Sequence, residues 1–275
     1  MTDPQLVAAH YTHGSLLAAI QAGMERLGKS PATVTVRDLG PVEEFHIGGR
    51  QASESFLDQL GLLATDHVLD VGCGLGGTSR FVAERYGCRV TGIDLTQEYV
   101  ETGRTLCGWL GLAERITLDH GSATALPYAE ALFDKAYMLH VGMNIADKTR
   151  LFAELYRVLK PGGRLGVYDV MAIGAGDLAF PVPWASSAAS SVVEAPVIYR
   201  DALRTAGFRV VAERDRREFA LQFFAALRAK ANALDGPPPL GLHILMGRTA
   251  PLKVSNMLES IAAGRVAPVE LIAEK

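Results

Sequence analysis

The stretch Val68-Leu69-Asp70-Val71-Gly72-Cys73-Gly74-Leu75-Gly76-Gly77 decides the fold of this 275-residue chain. It is a short apolar run that enters a glycine-rich turn, and the residues after it predict a helix over 78–86. A second apolar run over 89–93 then ends at Asp94. A strand, a glycine-rich turn, a helix and a second strand closed by an acid are typical of a nucleotide-binding βαβ unit, whose acid binds ribose hydroxyls.

The glycine spacing allows two cofactors. Gly72, Gly74 and Gly77 fit G-x-G-x-x-G, which permits a dinucleotide. The same residues also read as D-x-G-x-G with Asp70 in front, and a carboxylate there would repel a pyrophosphate. It would instead attract a sulfonium ligand that carries an ammonium group, so the charge favours S-adenosylmethionine. The alternative without a bound ligand is a tight βα turn in which the glycines only allow close packing.

The composition limits the class of protein. Apolar residues make up 49% of the chain and the net charge is −3, which suits a globular enzyme and predicts no nucleic-acid partner. Three cysteines without a C-x-x-C pair indicate a reducing, cytoplasmic compartment. We see no signal peptide and no apolar run that approaches 18 residues, so no membrane partner is predicted. The assembly is left open, with a homodimer as one candidate.

Alternating patterns predict an α/β fold, a doubly wound Rossmann-like sheet of seven mostly parallel strands. An N-terminal helical cap is expected over residues 1–65, and the cofactor-binding domain over 66–275 with a lid insertion at about 171–196, which is rich in Ala, Gly, Ser and Pro. Strands are predicted over 67–71, 89–93, 116–120, 135–139, 163–168, 208–215 and 265–273. Helices are predicted over 15–27, 50–60, 78–86, 97–110, 147–159, 198–206, 218–234 and 251–263, with a rigid break over 235–239.

Three further segments carry a resemblance to a known family. Gly121-Ser122-Ala123-Thr124-Ala125-Leu126-Pro127, Phe133-Asp134-Lys135-Ala136-Tyr137 and the run from Leu155 to Gly163 are similar to motifs of class I S-adenosylmethionine-dependent methyltransferases. The resemblance spans residues 67 to about 170. More loosely, Phe45-His46-Ile47-Gly48-Gly49 and the tail around Lys253 to Met257 resemble the glycine, sarcosine and dimethylglycine N-methyltransferase branch.

The resemblance implies a cofactor site at the carboxyl ends of the strands. Asp94 is expected to accept two ribose hydroxyl bonds, although it could merely cap the next helix, and Asp70 to act on the ammonium group. Leu95 is expected to pack on adenine, and Ala123 to offer its backbone N–H. Ser122 stands where the family usually has an acid, which weakens its expected contact with adenine. The full predicted set is Asp70, Gly72, Cys73, Gly74, Gly76, Asp94, Leu95, Ser122, Ala123, Leu139 and His140.

Substrate contacts are predicted at four positions outside that set, namely Tyr11, His46, Asn144 and Trp184. His140 is the candidate catalytic residue, with a structural core histidine as the equal alternative. Tyr11 could simply pack, and His46 could be a hinge or bind a substrate carboxylate. His10 and His13 lie three residues apart but lack a third ligand, so no metal site is predicted.

These features predict an enzyme that transfers a methyl group from S-adenosylmethionine to a small molecule and leaves S-adenosylhomocysteine. The narrower hypothesis is an amine acceptor such as glycine, sarcosine or dimethylglycine, because no strong base is evident. The alternative is C- or O-methylation of a quinone, sterol or secondary metabolite. An NAD-dependent oxidoreductase and a non-catalytic sensor of the cofactor are weaker alternatives.

Overall fold

The computed structural model describes residues 3–231 and 238–275, and its centre is a seven-stranded sheet. The strands follow the order β3-β2-β1-β4-β5-β7-β6 across the sheet. Their bounds are β1 His67–Val71, β2 Arg89–Asp94, β3 Ile116–His120, β4 Phe133–Leu139, β5 Leu159–Ala172, β6 Arg209–Asp215 and β7 Val266–Glu274.

The sheet is parallel except for its last strand. β1 pairs in parallel with β2 and β4, whereas β7 runs antiparallel between β5 and β6. The order reverses at β1, since the chain moves from β1 to β2 and β3 on one side and then crosses to β4 on the other. Ligands bind at such a switch point in parallel sheets. The predicted mostly parallel Rossmann-like sheet is confirmed.

Helices cover both faces of the sheet. Adjacent residues of β1 point to opposite faces, so Leu69 and Val71 join the core formed with Phe152, whereas Val68 joins the core that contains Phe56. The α-helices are α1 Pro4–Tyr11, α2 Leu16–Arg26, α3 Val36–Glu43, α4 Gly49–Leu57, α5 Gly77–Tyr86, α6 Gln97–Trp109, α7 Lys148–Val158, α8 Pro196–Ala206, α9 Arg217–Ala231, α10 His243–Met246 and α11 Ala250–Ala262.

The N-terminal region contains two helices that periodicity did not reveal. α1 begins after Asp3, whose carboxylate accepts a hydrogen bond from the Gln5 amide. α3 begins after Thr35, which forms a reciprocal capping box with Asp38. Both helices span 8 residues, too few for an apolar period to stand out.

β5 is longer than predicted at both ends. It begins at Leu159 rather than residue 163, because Leu159 already pairs with Phe133 before a register shift near Gly162, which has φ +77°. At its other end, Ala172 pairs with Val266 of β7. The segment predicted as a lid, called the lid segment or lid below, therefore spans residues 173–195 between β5 and α8 rather than about 171–196.

Two other predictions concern segments at the edge of the described residues. The helix predicted over 218–234 begins at Arg217 and is described through Ala231. Most of the predicted break at 235–239 lies outside the described residues.

Within the described ranges, no helix combines the length and the apolar character that crossing a bilayer requires.

Candidate functional site

A cavity of about 660 Å³ opens at the carboxyl ends of β1, β2 and β4, a volume within the usual range for small-molecule sites. Its other walls come from α1, the α3–α4 loop, the lid and the C-terminal helices α10 and α11. The structure brings all but one of the predicted residues to this cavity: Tyr11, His46, Asp70, Gly72, Cys73, Gly74, Asp94, Leu95, Ser122, Ala123, Leu139, His140, Asn144 and Trp184.

Gly76 is the predicted site residue that is absent from the cavity wall. It lies at the N-cap of α5, where an added Cβ would come within 2.9 Å of Leu118 and 3.3 Å of Arg80. Its φ of +76° turns the chain into the helix. Among the described residues, the contacts of Gly76 are therefore those of a residue that starts a helix. The glycine spacing in the sequence could not distinguish this role from contact with the cofactor.

Two other glycines shape the floor of the cavity. Gly72 has φ +68°, and an added Cβ would lie 2.3 Å from Val141, so only glycine fits there. Gly74 has φ +55°, but its added Cβ would meet only Tyr99, at 3.8 Å. The space above Gly74 is therefore open to a ligand that approaches the backbone closely.

Asp70 is a buried carboxylate at the end of β1. Its side chain is 2% exposed and accepts a hydrogen bond of 2.6 Å from the Ser79 hydroxyl. Burial raises the pKa of Asp70 to about 7, an effect that the Ser79 bond partly offsets and the nearby charge of Asp94 reinforces. A cation placed beside it would stabilise the ionised form.

Asp94 ends β2 and organises the turn around it. Its Oδ2 accepts a hydrogen bond from the Gly74 amide at 2.9 Å, and its Oδ1 accepts one from the Thr96 amide at 2.8 Å. Burial raises the pKa of Asp94, and these two amides counteract that rise. Each carboxylate oxygen keeps lone-pair capacity for a ligand hydroxyl, so the helix-capping and ligand-binding interpretations are compatible here.

Ser122 already has local partners. Its Oγ lies 2.9 Å from the Thr124 hydroxyl and accepts the Thr124 amide at 3.2 Å. The side chain thus stabilises the loop that follows β3.

His140 follows β4 in a left-handed conformation, with φ +57°. Its Nε2 accepts a hydrogen bond from the Ile47 amide at 3.3 Å, so in the neutral ring the proton lies on Nδ1. Nδ1 is buried and has no partner among the described residues. Burial lowers the pKa of His140 well below its usual value, and the neighbouring His46 lowers it further. His140 is therefore a neutral ring that presents one N–H donor.

Asn144 connects three walls of the cavity. Its side-chain amide donates to the backbone carbonyls of Trp184 and Ser190 in the lid, at 2.9 and 2.8 Å. Its Oδ1 accepts the Tyr11 hydroxyl at 3.1 Å. The lid is further fixed to α1 through His10, which contacts the Pro183 carbonyl and the Ser186 hydroxyl at 2.9 Å each.

Among the described residues, no group of three or more His, Cys, Asp or Glu is placed to hold a metal.

His46 lies in the α3–α4 loop and is buried, with 8% of its surface exposed. Its Nε2 faces the Ser53 hydroxyl at 2.9 Å, the Gly49 carbonyl at 3.2 Å and the Glu44 carboxylate at 3.3 Å. Burial lowers the pKa of His46, whereas Glu44 acts in the opposite direction.

Several cavity residues were missed by sequence reasoning. Glu43 and Tyr99 reach the cavity as buried polar side chains, each with an oxygen that has no hydrogen-bond partner among the described residues. The others are apolar and come from distant parts of the chain, namely Val7, Phe45, Ile47, Phe224, Leu242, Leu245, Met246, Val254 and Met257. Apolar residues of this kind carry no local motif, and only the tertiary fold collects them.

The cofactor end of the cavity fits a cationic adenosine compound. The carboxylates of Asp70 and Asp94 line the same cavity, and both have raised pKa values that a ligand cation would lower. The open space at Gly74 admits a ligand against the backbone. Bound there, S-adenosylmethionine would supply a methyl group that is already activated by its sulfonium.

Comparison with known proteins agrees with this geometry. Residues 68–163 match the family model described as a methyltransferase domain. The O-methyltransferase resE of Aspergillus sclerotiorum is 27% identical over 242 residues, which cover 86% of this chain and 87% of that protein. With several other curated relatives, the alignment spans about half of the relative's length.

Solved methyltransferase structures share the fold. A geranyl diphosphate C-methyltransferase from Streptomyces coelicolor, in complex with S-adenosyl-L-homocysteine, superposes with a TM-score of 0.68 at 19% identity, and the match covers 98% of this chain and 96% of that one. A proposed sarcosine dimethylglycine methyltransferase from Galdieria sulphuraria gives 0.66 at 18% identity, with 82% and 85% covered. At such identities the likeness shows the fold alone.

The D-x-G-x-G turn, the buried Asp70 and half-buried Asp94 carboxylates and the matching domain agree on one cofactor, S-adenosylmethionine, in preference to a dinucleotide. The relatives differ in the atom that they methylate, so the acceptor is a separate question. Residues 68–163 form a methyltransferase domain, and the protein is an S-adenosylmethionine-dependent methyltransferase.

Proposed function

We propose that this enzyme methylates an oxygen or an acidic carbon of a largely apolar small molecule. The observation that carries this proposal is the wall of the cavity beyond the cofactor end. Phe45, Trp184, Phe224, Met246 and Met257 line it together with aliphatic side chains. Such a wall favours an aromatic or terpenoid acceptor through apolar burial, at about 25 cal/mol per Å².

The charges of the cavity disfavour an amino-acid acceptor. Glycine, sarcosine and dimethylglycine each carry a carboxylate, which a binding site would pair with Arg or Lys. Arg150 is the residue of the described cavity wall with a permanent positive charge, and its Nε donates to the Thr124 carbonyl, in the loop after β3. The geometry therefore supports the C- or O-methylation alternative over the amine hypothesis.

We assign the cofactor contacts in the same proposal. Asp94 accepts the ribose hydroxyls, Asp70 pairs with the ammonium group, and the Gly72–Gly74 backbone borders the methionine part. Leu95 and Ala123 border the adenine. Holding the acceptor in line with the methyl group would supply roughly 7–11 kcal/mol of the barrier through alignment alone.

An acceptor panel tests the proposal. We expect methyl-labelled S-adenosylmethionine to label 1-naphthol and 2-methyl-1,4-naphthohydroquinone, and to leave glycine, sarcosine and dimethylglycine unlabelled. Calorimetric binding of the same compounds to the protein loaded with S-adenosylhomocysteine should follow the same order. Preferential binding or labelling of any of the three amino acids would overturn the apolar-acceptor proposal and restore the amine hypothesis.

Cofactor binding should release a proton near neutral pH. Because the pKa of Asp70 is raised to about 7 in the free protein, this carboxyl is mostly protonated at pH 6.5. A bound ammonium group lowers that pKa, so binding expels up to about one proton, and affinity rises as the pH approaches 7. Calorimetry at pH 6.5 in buffers of different ionisation enthalpy measures this release.

The control for this measurement is Asp70→Asn, which keeps the shape and removes the titration. We expect its proton release to fall by most of the wild-type amount, and the release in the wild type to fade at pH 8, where the carboxyl is already ionised. Equal release by both proteins at pH 6.5 would show that the proton comes from another group.

A further inference from the structure

We propose that His46 is the general base of the reaction and that Glu44 is the positioning residue that fixes its tautomer. This inference rests on the proposed function, because only a hydroxyl or an acidic carbon requires deprotonation. His140, the candidate from sequence, presents a protonated Nδ1 instead and is therefore a donor.

The partners of Nε2 decide the tautomer of His46. The Glu44 carboxylate and the Gly49 carbonyl can only accept, at 3.3 and 3.2 Å. The Ser53 hydroxyl donates its proton to Glu44 Oε2 at 2.7 Å, so its oxygen is left to accept from His46 at 2.9 Å. Three acceptors around one nitrogen require a proton on Nε2, which leaves the lone pair of Nδ1 free.

Glu44 is itself held in place. Its Oε1 forms an ion pair with Arg50 Nη2 at 2.7 Å, and the guanidinium of Arg50 stacks over the Phe81 ring at 4.1 Å. The Glu44 side chain is 5% exposed. A buried carboxylate behind a histidine orients the ring and stabilises the imidazolium that forms when the histidine takes a proton.

The other nitrogen is placed to serve an acceptor. His46 lines the cavity, and its Nδ1 has no hydrogen bond to the described residues. The surrounding groups are Glu44, Arg50, the neutral His140 ring at 6.0 Å between centroids and the Tyr168 ring at 6.3 Å. Burial lowers the pKa of His46, so the ring is neutral and able to accept a proton near pH 7.

The methyl transfer is a nucleophilic displacement. His46 Nδ1 takes the proton of the acceptor O–H or C–H, and the electron pair left on that oxygen or carbon forms the new bond to the methyl carbon. The pair of the broken S–CH₃ bond stays on sulfur as S-adenosylhomocysteine leaves. The proton on His46 then passes to water when the site opens.

Side-chain nitrogen NMR tests the tautomer without an acceptor. With ¹⁵N-histidine, assigned through His46→Gln, we expect His46 at pH 7 to be neutral with its proton on Nε2. Glu44→Gln should raise the share of the Nδ1–H tautomer, whereas the matched control Glu54→Gln, on α4 with an exposed side chain, should not. A proton on Nδ1 in the wild type, alone or together with one on Nε2, would overturn the base assignment.

A pair of acceptors tests the proton transfer itself. With 1-naphthol we expect His46→Gln to lower kcat by about 10²–10⁴, whereas with 4-nitro-1-naphthol, which is already ionised near neutral pH, the loss should shrink towards unity. His67→Gln, on β1 and away from the cavity, should match the wild type with both. An equal loss with both acceptors would show a merely structural role for His46.

The two readouts separate the proposals. If the wild type methylates neither naphthol, the proposed acceptor class fails, and the nitrogen spectra still decide whether Glu44 fixes the tautomer of His46. If the naphthols are methylated but the spectra show Nδ1–H, the proposed function stands and the base assignment falls.

Discussion

Asp94→Asn is expected to weaken the binding of S-adenosylmethionine and S-adenosylhomocysteine by about 10–100-fold. A hydrogen bond to a charged group contributes about 1.5–3 kcal/mol, and the amide would present an N–H₂ group where the carboxylate accepts. The substitution also turns one donor towards the Gly74 or Thr96 amide, which disturbs the turn that the ligand contacts. Calorimetric titration with both ligands measures the change in Kd.

The matched control is Asp119→Asn on the neighbouring strand. Asp119 pairs in register with Ile93, accepts the Tyr128 hydroxyl at 2.9 Å and is absent from the cavity wall, so we expect a Kd within about twofold of the wild type. Thermal unfolding of both variants separates loss of binding from loss of fold. An Asp94→Asn protein that is folded and binds as tightly as the control would refute the ribose assignment.

Arg80→Met should produce the largest loss of stability, about 3–5 kcal/mol in the free energy of unfolding. Arg80 is fully buried in α5, where it pairs with Glu43 of α3 and donates to the Gly103 carbonyl at 3.3 Å. Removing it leaves the Glu43 carboxylate buried without its partner, which costs far more than the lost attraction alone. Urea unfolding followed by circular dichroism gives the difference.

Two variants sharpen that result. Arg85→Met makes the same change on the exposed face of α5, where the ion pairs to Glu54 and Asp58 are long, at 3.9 and 3.7 Å, so we expect its stability to stay close to that of the wild type. Adding Glu43→Met to Arg80→Met should recover part of the stability, because the uncompensated charge is gone. Equal losses for Arg80→Met and Arg85→Met would contradict the account.

Neither half of the Glu43–Arg80 pair could be assigned from sequence. Arg80 belongs to the helix after the glycine turn and Glu43 to a short helix before the first strand, and neither sits in a motif that names its partner. The contact has a functional consequence, since Glu43 also lines the cavity. This ion pair connects α3, which forms part of the N-terminal wall of the cavity, to α5, which begins at the glycine-rich turn.

The predicted cavity residues fall into two groups, those of one local motif and those that are far apart in the sequence. Asp70, Gly72, Gly74 and Asp94 lie within one local βαβ unit, so the short-range pattern was enough to predict that they meet. The acceptor wall joins α1, the lid and the last helices, whose sequence separation hides their proximity. Their roles in binding remain predictions that the experiments above address.

The sequence by itself determined the Rossmann-like sheet, the glycine turn and the placement of two acids at its edge, because strand period, glycine spacing and strand ends are local properties of the chain. Only the tertiary structure decided which groups surround the ring nitrogens of each histidine. His46 and His140 look alike in sequence, but Glu44, Ser53 and the Gly49 carbonyl surround one nitrogen of His46, whereas the Ile47 amide faces one of His140. A proton's position depends on these neighbours, and they are brought together only by folding.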